Sequence, residues 1–474
     1  MEDDMTDAAS YELIVIGSGP AGEKGALTAA FFGKRVALVE KSALVGGAVA
    51  NTGTLPSKTL RETALALSGF RARELYGVDL SLGREATVAD FMHHEKVVAS
   101  TERARIHSYL ENLGVELIRG AASFADAHTV RVAGPDGWRT LRAGTILVAT
   151  GSSPFRPPEF AFADDRICDS DEILHLARLP KTMVIVGAGV IGSEYACTFA
   201  ALGTKVHLVD GRDRLLPVLD DEVSAALSQA MQALGIVFHW NERVTICHGT
   251  EGGGDVRLTL SSGAVLEVDT VLVAAGRTSN TESLGLEAAG VTLGKRGLIP
   301  VDAQYRTNVP HIYAAGDVIG APALAATGVE QARVAMSHAF DLGFKSEVAP
   351  ILPYGIYTIP EVSMAGETEA SLREKKIDYV VGRALYRENA RGQIIGDRSG
   401  FLKLLFHRSD LKLLGVHVIG EQASELIHVG LAALLMGAGW DLFNRICFNY
   451  PTLGVLYQRA AYDAGAAARD AAKR

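Results

Sequence analysis

Cysteine is scarce in this 474-residue chain, and its four copies, Cys168, Cys197, Cys247 and Cys447, form no Cys-x-x-Cys pair and no Cys/His ligand spacing. That scatter excludes a zinc module or a secreted disulfide scaffold, and the four read as ordinary thiols of a reducing compartment. An excess of positive charge is missing too. The formal net charge is −9 and no basic run stands out, so no nucleic-acid partner is expected, because binding a phosphate polyanion needs a basic face. Long apolar runs are also lacking. Residues 183–192, beside a glycine motif, fall well short of the roughly 20 residues that cross a bilayer, and no membrane association is expected. Residues 1–10 are acidic and polar, without the basic start or apolar stretch of a signal peptide. The expected location is cytoplasmic.

Glycine, by contrast, is abundant. The 50 glycines, with 48% hydrophobic and 21% charged residues, fit a globular α/β chain in which glycine turns and buried parallel strands recur. The length implies two to four domains. Residues 11–16 form a β-rich run, followed by Gly17-Ser18-Gly19-Pro20-Ala21-Gly22, a helical stretch to Phe32 and a second strand, 36–39, ending at Glu40. This is a βαβ unit with the dinucleotide fingerprint. Gly17 permits the tight turn, Gly19 lets the backbone approach a pyrophosphate, and Gly22 allows close packing of helix on strand. The phosphates then lie on the helix N-terminus, and Glu40 is placed to accept from an adenosine ribose.

The same grammar returns in residues 183–210: a strand, Gly187-Ala188-Gly189-Val190-Ile191-Gly192, a helix through Leu202 and a strand ending at Asp210. Two such units predict two dinucleotides. Asp210 alone predicts NAD, because its charge repels a 2′-phosphate; Arg212 and Arg214 just beyond it offer guanidinium groups that can meet that phosphate. Residues 145–151, running into Thr150 and Gly151, residues 270–277, which include Gly276, and residues 312–318, which include Asp317, each read as a buried strand delivering small residues close to a cofactor. Asp317 is placed to bond a polyol hydroxyl. From about Pro353 strand-like runs at 401–406 and 413–419, then helices over 421–436, read as a third, α+β domain. The Ala-rich tail after Tyr462 reads as a terminal helix that frays.

With both glycine motifs, Thr150, Asp317, the segment 46–58 and the run Asn449-Tyr450-Pro451-Thr452 in order, the chain resembles the class I flavoprotein disulfide reductases over nearly its whole length. Their pattern Gly-Gly-x-Cys-x-Asn-x-Gly-Cys-x-Pro-Ser-Lys here reads Gly46-Gly47-Ala48-Val49-Ala50-Asn51-Thr52-Gly53-Thr54-Leu55-Pro56-Ser57-Lys58, so Val49 and Thr54 occupy the places of the redox disulfide. Where that family keeps a His/Glu acid–base pair, this chain has Tyr450 and Val455. A tyrosine with an ordinary pKa near 10 is a poor base at neutral pH. Within the superfamily the chain looks most like the soluble, Si-specific NAD(P)+ transhydrogenases, which share Gly53-Thr54-Leu55-Pro56-Ser57-Lys58 and Phe448-Asn449-Tyr450-Pro451-Thr452. It departs from them as well: they commonly keep a Cys at Val49 and a Glu at Val455.

The resemblance implies two Rossmann-like domains, for FAD and NAD(P), with a C-terminal α+β dimerisation domain. The expected segments are 1–151 and 278–348 for FAD, 152–277 for NAD(P) and 349–474 for the interface. FAD is implied at Gly17, Gly19, Gly22, Glu40 and Asp317, and NAD or NADP at Gly187, Gly189, Gly192, Asp210, Arg212 and Arg214. Further implied cofactor contacts are Lys41, Gly46, Gly47 and Thr54, then Ala121, Thr150, Gly151, Gly276 and Ala325. Lys58 is implied beside the flavin N5, paired with Glu194. The expected reaction is hydride exchange between NADPH and NAD+ in ping-pong fashion at one nicotinamide site, with no metal. The expected assembly is a homodimer or larger homo-oligomer, with Tyr450 of one subunit near the flavin of the other. A quinone or dye reductase, or a non-catalytic NAD(P)H-binding flavoprotein sensor, would also dispense with cysteines.

Overall fold

A computed structural model describes residues 9–69, 87–249 and 255–472. The chain divides into two compact units. One comprises Met1–Thr59, Met92–Phe155 and Gly276–Val348, the other Leu60–Phe91, Arg156–Ala275 and Ala349–Arg474.

The first unit is built on a run of apolar residues that is buried on both sides. Leu13, Ile14, Val15 and Ile16 are all 3% exposed or less, as a central strand of a parallel sheet requires. The strand Ala9–Ile16 pairs in parallel with Val36–Glu40 on one side and with the end of Gly137–Val148 on the other. Glu116–Arg119 extends the first edge, and Ile312–Ala314 pairs with Gly137–Val148. Successive side chains point to opposite faces. Ile14 and Ile16 therefore enter one apolar cluster, with Val39, Val148 and the antiparallel strands Ala121–Phe124 and Thr129–Gly134; Leu13 and Val15 enter another, with Leu38, Leu147 and Ala332. The helices Pro20–Phe31 and Ala325–Ala339 cover this second face and pack on each other through small residues, a Cβ at Gly25 lying 3.7 Å from that of Ala332.

In the second unit the parallel sheet runs Val237–Trp240, Lys205–Asp210, Thr182–Val186, Thr270–Val273, Ile167–Asp169. Val184, Val209, Val271 and Val273 pack one face against the antiparallel strands Val244–Gly249, Val256–Leu260 and Val265–Val268. The C-terminal part forms a five-stranded antiparallel sheet, with Phe401–His407 and Leu413–Ile419 at its centre, covered by Ala423–Leu435 and Val455–Ala472.

In residues 270–277 a strand runs to Val273 and into a turn with Gly276 at φ of 116°, after which Arg277–Ser279 is a separate strand paired antiparallel with Ser152–Pro154. One expectation is corrected. The C-terminal helix starts at Val455 rather than after Tyr462, and buries Leu456, Tyr457, Ala460, Ala461 and Ala464 completely. Its small residues are packing residues, since Gly382 of the neighbouring strand leaves no space there for a larger side chain.

A buried ion cluster braces this unit. The Lys403 ammonium, fully buried on the antiparallel sheet, reaches Asp220 at 2.7 Å, Glu222 at 2.9 Å and Glu369 at 2.5 Å, and Arg383 holds Glu222 from outside. Asp220 also caps the helix Asp221–Ala233, accepting from the Glu222 amide. A charge this deep is tolerable only because several opposite charges satisfy it.

Candidate functional site

The first glycine turn leaves the strand Ala9–Ile16 and enters the helix Pro20–Phe31. Gly17 has φ of 102°, and a Cβ there would lie 2.4 Å from the Ala149 carbonyl oxygen. At Gly22 a Cβ would lie 1.8 Å from the Gly17 carbonyl oxygen, so helix and turn touch backbone to backbone. Pro20 opens the helix, where its missing N–H costs nothing. The N-cap Gly19 brings no side-chain cap, leaving the first-turn amides free of one. Such an N-terminus suits an anion.

Glu40 closes the second strand with 7% exposure. Its Oε2 accepts from the Ser18 amide at 2.9 Å and the Ser18 hydroxyl at 2.6 Å, and Oε1 accepts from the Ser42 amide at 2.8 Å. Sequence reasoning missed Ser18, an unconstrained position within the Gly-x-Gly pattern. Its hydroxyl also accepts from the Gly46 amide, which ties the segment 46–58 to the turn. Gly47 then approaches Gly19 so closely that a Cβ on it would lie 2.8 Å from the Gly19 Cα. These two side-chain-free stretches make the cradle a dinucleotide backbone needs. Lys41 follows Glu40 in an exposed position, and Ala121 opens a strand just after Gly120, whose amide donates to the Glu40 carbonyl.

Within the segment, Val49 lies half-buried in the short helix Gly47–Asn51, and exposed Thr54 opens the helix Thr54–Leu67. Asn51 braces the first of these, donating to the Val45 and Gly47 carbonyls and accepting from Arg103. Lys58 is half-buried one turn beyond Thr54, its Nζ 3.4 Å from the Ser57 hydroxyl.

Asp317 follows Gly316 (φ 81°) and is held by a relay: Arg277 donates to the Ser152 hydroxyl at 2.7 Å, and that hydroxyl donates to Asp317 Oδ2 at 2.6 Å. Gln331 accepts from the Gly316 amide, and Ala325 is the first residue of the helix that carries it. Thr150 and Gly151 are fastened by Asn280, whose backbone carbonyl accepts from the Thr150 hydroxyl, whose backbone amide donates to the Gly151 carbonyl, and whose Nδ2 donates to the Thr150 carbonyl. Ser152, Asn280 and Gln331 carried no signal in the sequence, since each lies outside a glycine motif.

The second unit repeats the first turn almost atom for atom. Gly187 has φ of 103°, with a Cβ placed 2.4 Å from the Ala274 carbonyl oxygen, and Gly192 would bring a Cβ to 1.9 Å from the Gly187 oxygen. Gly189 caps the helix Val190–Ala201 with no side-chain cap. On that helix Glu194 is 5% exposed, and its Oε1 accepts from the Tyr357 amide at 2.9 Å.

Asp210 ends the second strand as expected, but its partners are specific. Oδ2 accepts from the Ala188 amide and from Arg212 Nη2, both at 2.6 Å; Oδ1 accepts from the Arg212 amide and Nε, both at 2.8 Å. Burial opposes the charge on this carboxylate, yet the Arg212 hydrogen bonds and the Ala188 amide outweigh it and its pKa is lowered. Arg214 turns away, to Asp221 and the Pro217 carbonyl. The two guanidinium groups read from the sequence as a phosphate site are thus each engaged with a carboxylate in this structure. Both remain nearly half exposed.

Elsewhere, Tyr450 is 74% exposed and Val455 begins the last helix. All four cysteines are free thiols; burial pushes Cys168, Cys197 and Cys247 up to about 12, and Cys447 is exposed. Among the described residues no helix is long and apolar enough to cross a membrane.

Two βαβ glycine turns with acidic strand ends, joined to an α+β C-terminal domain, define a dinucleotide-handling oxidoreductase, and the comparisons agree. Residues 11–339 match the family described as pyridine nucleotide-disulphide oxidoreductase, and residues 352–461 match its dimerisation domain. The chain belongs to this family, whose members use a flavin and a nicotinamide nucleotide. It is 46% identical, over 96% of its length and 97% of the relative's, to a protein of Mycobacterium bovis (strain BCG / Pasteur 1173P2) named soluble pyridine nucleotide transhydrogenase. A Chromohalobacter salexigens protein of the same name is 43% identical over 95% of this chain and 97% of its own. Among solved structures, LpdA from Mycobacterium tuberculosis superimposes with a TM-score of 0.87 at 29% identity, covering 95% of this chain and 99% of its own. The HOCl-induced flavoprotein disulfide reductase RclA from Escherichia coli gives 0.87 at 26% identity, covering 95% and 99%.

Proposed function

We propose that this protein is an FAD-dependent transhydrogenase that moves hydride between NADPH and NAD+ without a protein disulfide. One observation carries the reading: both dinucleotide turns are intact, while Val49 and Thr54 stand where thiols would have to accept electrons. The relatives' shared name, soluble pyridine nucleotide transhydrogenase, supports it.

The residues present fit a dinucleotide flavin. The uncapped amides after Gly19 and the apposed Gly19 and Gly47 would hold the pyrophosphate, Glu40 the adenosine ribose and Asp317 the polyol chain. Fixed by Ser18 and by Ser152 respectively, both carboxylates lose little freedom when a hydroxyl docks on them. Bound flavin supplies a ring that takes hydride from one nicotinamide and passes it to the other, the two nucleotides using one site in turn. Lys58 is the proposed catalytic residue, its ammonium offsetting negative charge that develops on that ring. Glu194, fixed by the Tyr357 amide, is the second. Asp210 would take the ribose hydroxyls of NAD, and Arg212, swinging off Asp210, the extra phosphate of NADP. The remaining assignments, Lys41, Gly46, Thr54, Ala121, Thr150, Gly151, Gly276 and Ala325, belong to the same proposal, as do the four-segment domain plan, a cytoplasmic homodimer and a place for exposed Tyr450 on the dimer surface.

The test is steady-state anaerobic reduction of an NAD+ analogue by NADPH, run beside quinone at equal concentration. Transfer to the analogue with little to quinone is expected. Rapid electron flow to quinone with none to the analogue would contradict the proposal.

A further inference from the structure

Two histidines near the edge of the second parallel sheet have no part in this reaction. His207 lies in the strand Lys205–Asp210 and His239 in the edge strand Val237–Trp240. The register pairs His207 with Val237 and Val209 with His239, so both imidazoles stand on one face of the sheet, offset diagonally by two residues. Their ring centroids are 5.2 Å apart, and His207 Nδ1 lies 3.0 Å from His239 Nε2. Across that gap the rings share one N–H···N hydrogen bond, whichever of them carries the hydrogen.

The surroundings disfavour a charge on the pair. Burial, the neighbouring ring and Lys205 all lower the pKa of His207. Burial lowers that of His239 against the pull of Glu242. Both rings are half-buried, and the shift favours the neutral imidazole, the form that binds metal ions.

We infer that His207 Nδ1 and His239 Nε2 form a two-nitrogen site for a divalent transition-metal ion of tetragonal preference, copper(II) foremost. The separation and the donor type together point to the ion. With each nitrogen about 2.0 to 2.1 Å from the metal, the observed gap corresponds to an N–metal–N angle of about 95°. That is close to the cis angle of a square-planar or tetragonal centre, which nitrogen donors give with copper(II) or nickel(II), and copper(II) heads the affinity order for such donors, ahead of zinc. Binding needs no net proton release. The hydrogen between the rings moves through solvent to the outer nitrogen of its own ring, a small rotation turns both inner lone pairs onto the ion, and water completes the coordination. Two paired strands hold the donors on rigid backbone, His207 three residues before Asp210 and His239 opposite Val209. A second convergence of ligand atoms, Asp220, Glu222 and Glu369, is already filled by the Lys403 ammonium.

The test is titration of the flavin-loaded enzyme with copper(II) chloride, followed by electron paramagnetic resonance and by competition with a chelator of known affinity. One tightly bound equivalent per chain, with coupling to two nitrogens, is expected, and zinc(II) should displace it poorly. His207→Gln and His239→Gln should each weaken that equivalent by more than about tenfold, since losing a ligand exceeds the 10- to 100-fold cost of losing its support, and each should abolish the two-nitrogen pattern. Copper bound by both variants with wild-type affinity and spectrum, or no tight equivalent in the wild type, would overturn the inference.

Discussion

At the scale of single residues, the proposed selectivity between nucleotides rests on the Asp210–Arg212 pair. A buried acid alone would refuse a 2′-phosphate; an acid covered by its own arginine can present either charge, because the guanidinium is nearly half exposed and free to exchange partners. Arg212→Ala should therefore raise the half-saturating concentration of NADPH by roughly tenfold, the value of one charge-assisted hydrogen bond, and change that of NADH much less. Equal shifts for the two nucleotides in initial-rate measurements would remove Arg212 from phosphate recognition. Asp210, Arg212 and Arg214 were all legible in the sequence, but their pairing was not. A sequence shows that guanidinium groups lie near an acid, and only the loop conformation decides that Arg212 takes Asp210 while Arg214 takes Asp221. Ser18 was invisible for a related reason: within Gly-x-Gly only the glycines are fixed by backbone geometry, whereas its side chain matters through Glu40, 22 positions away.

At the scale of elements, the two strand–turn–helix units were the most legible part of the chain, since their periodicity and their glycines report one local geometry. Gly22 and Gly192 fill equivalent places in the two turns, so their substitutions should separate the two ligands. Gly22→Ala forces a methyl into the Gly17 carbonyl and should yield protein with little bound flavin. Gly192→Ala should keep its flavin and lose nucleotide affinity. Absorbance of the purified variants and NADPH binding to the flavin-loaded one check both outcomes. Elements fixed by tertiary packing were harder to read. The start of the last helix at Val455 follows from burial against the antiparallel sheet, and the break after Val273 from pairing of Arg277–Ser279 with Ser152–Pro154. The Lys403 cluster was not anticipated either, because its members are spread over residues 220–403. Lys403→Met would leave three carboxylates facing one another and should cost about 3 to 5 kcal/mol in denaturant unfolding, the usual result of removing one partner from a buried ion pair. In the wild type, burial opposes the charges on Asp220, Glu222 and Glu369, but Lys403 and Arg383 lower their pKa values. Folded values below the unfolded ones mean that this stabilisation is present above the ordinary carboxylate range and fades as acid carries the pH down through the lowered values.

At the scale of the whole molecule, the chain keeps the family's nucleotide-binding and dimerisation domains, and on the proposed reading its active site takes no part in thiol exchange. On that reading Val49 and Thr54 stand in the places of the redox pair and Tyr450 and Val455 in those of the acid–base pair; three of the four cysteines are buried with thiols pushed up to about 12. The losses are coherent: removing the disulfide removes the need for a base to serve it. Electrons then have one place to reside per active site, and the count of reducing equivalents becomes diagnostic. The most direct measurement is an anaerobic titration of the oxidised, flavin-loaded enzyme with NADPH, recorded as visible spectra. The account predicts that the flavin band bleaches fully with a single two-electron equivalent per flavin, that no long-wavelength thiolate-to-flavin charge-transfer band develops, and that an NAD+ analogue restores the oxidised spectrum. Uptake of a second equivalent per flavin, with that charge-transfer band appearing first, would contradict it.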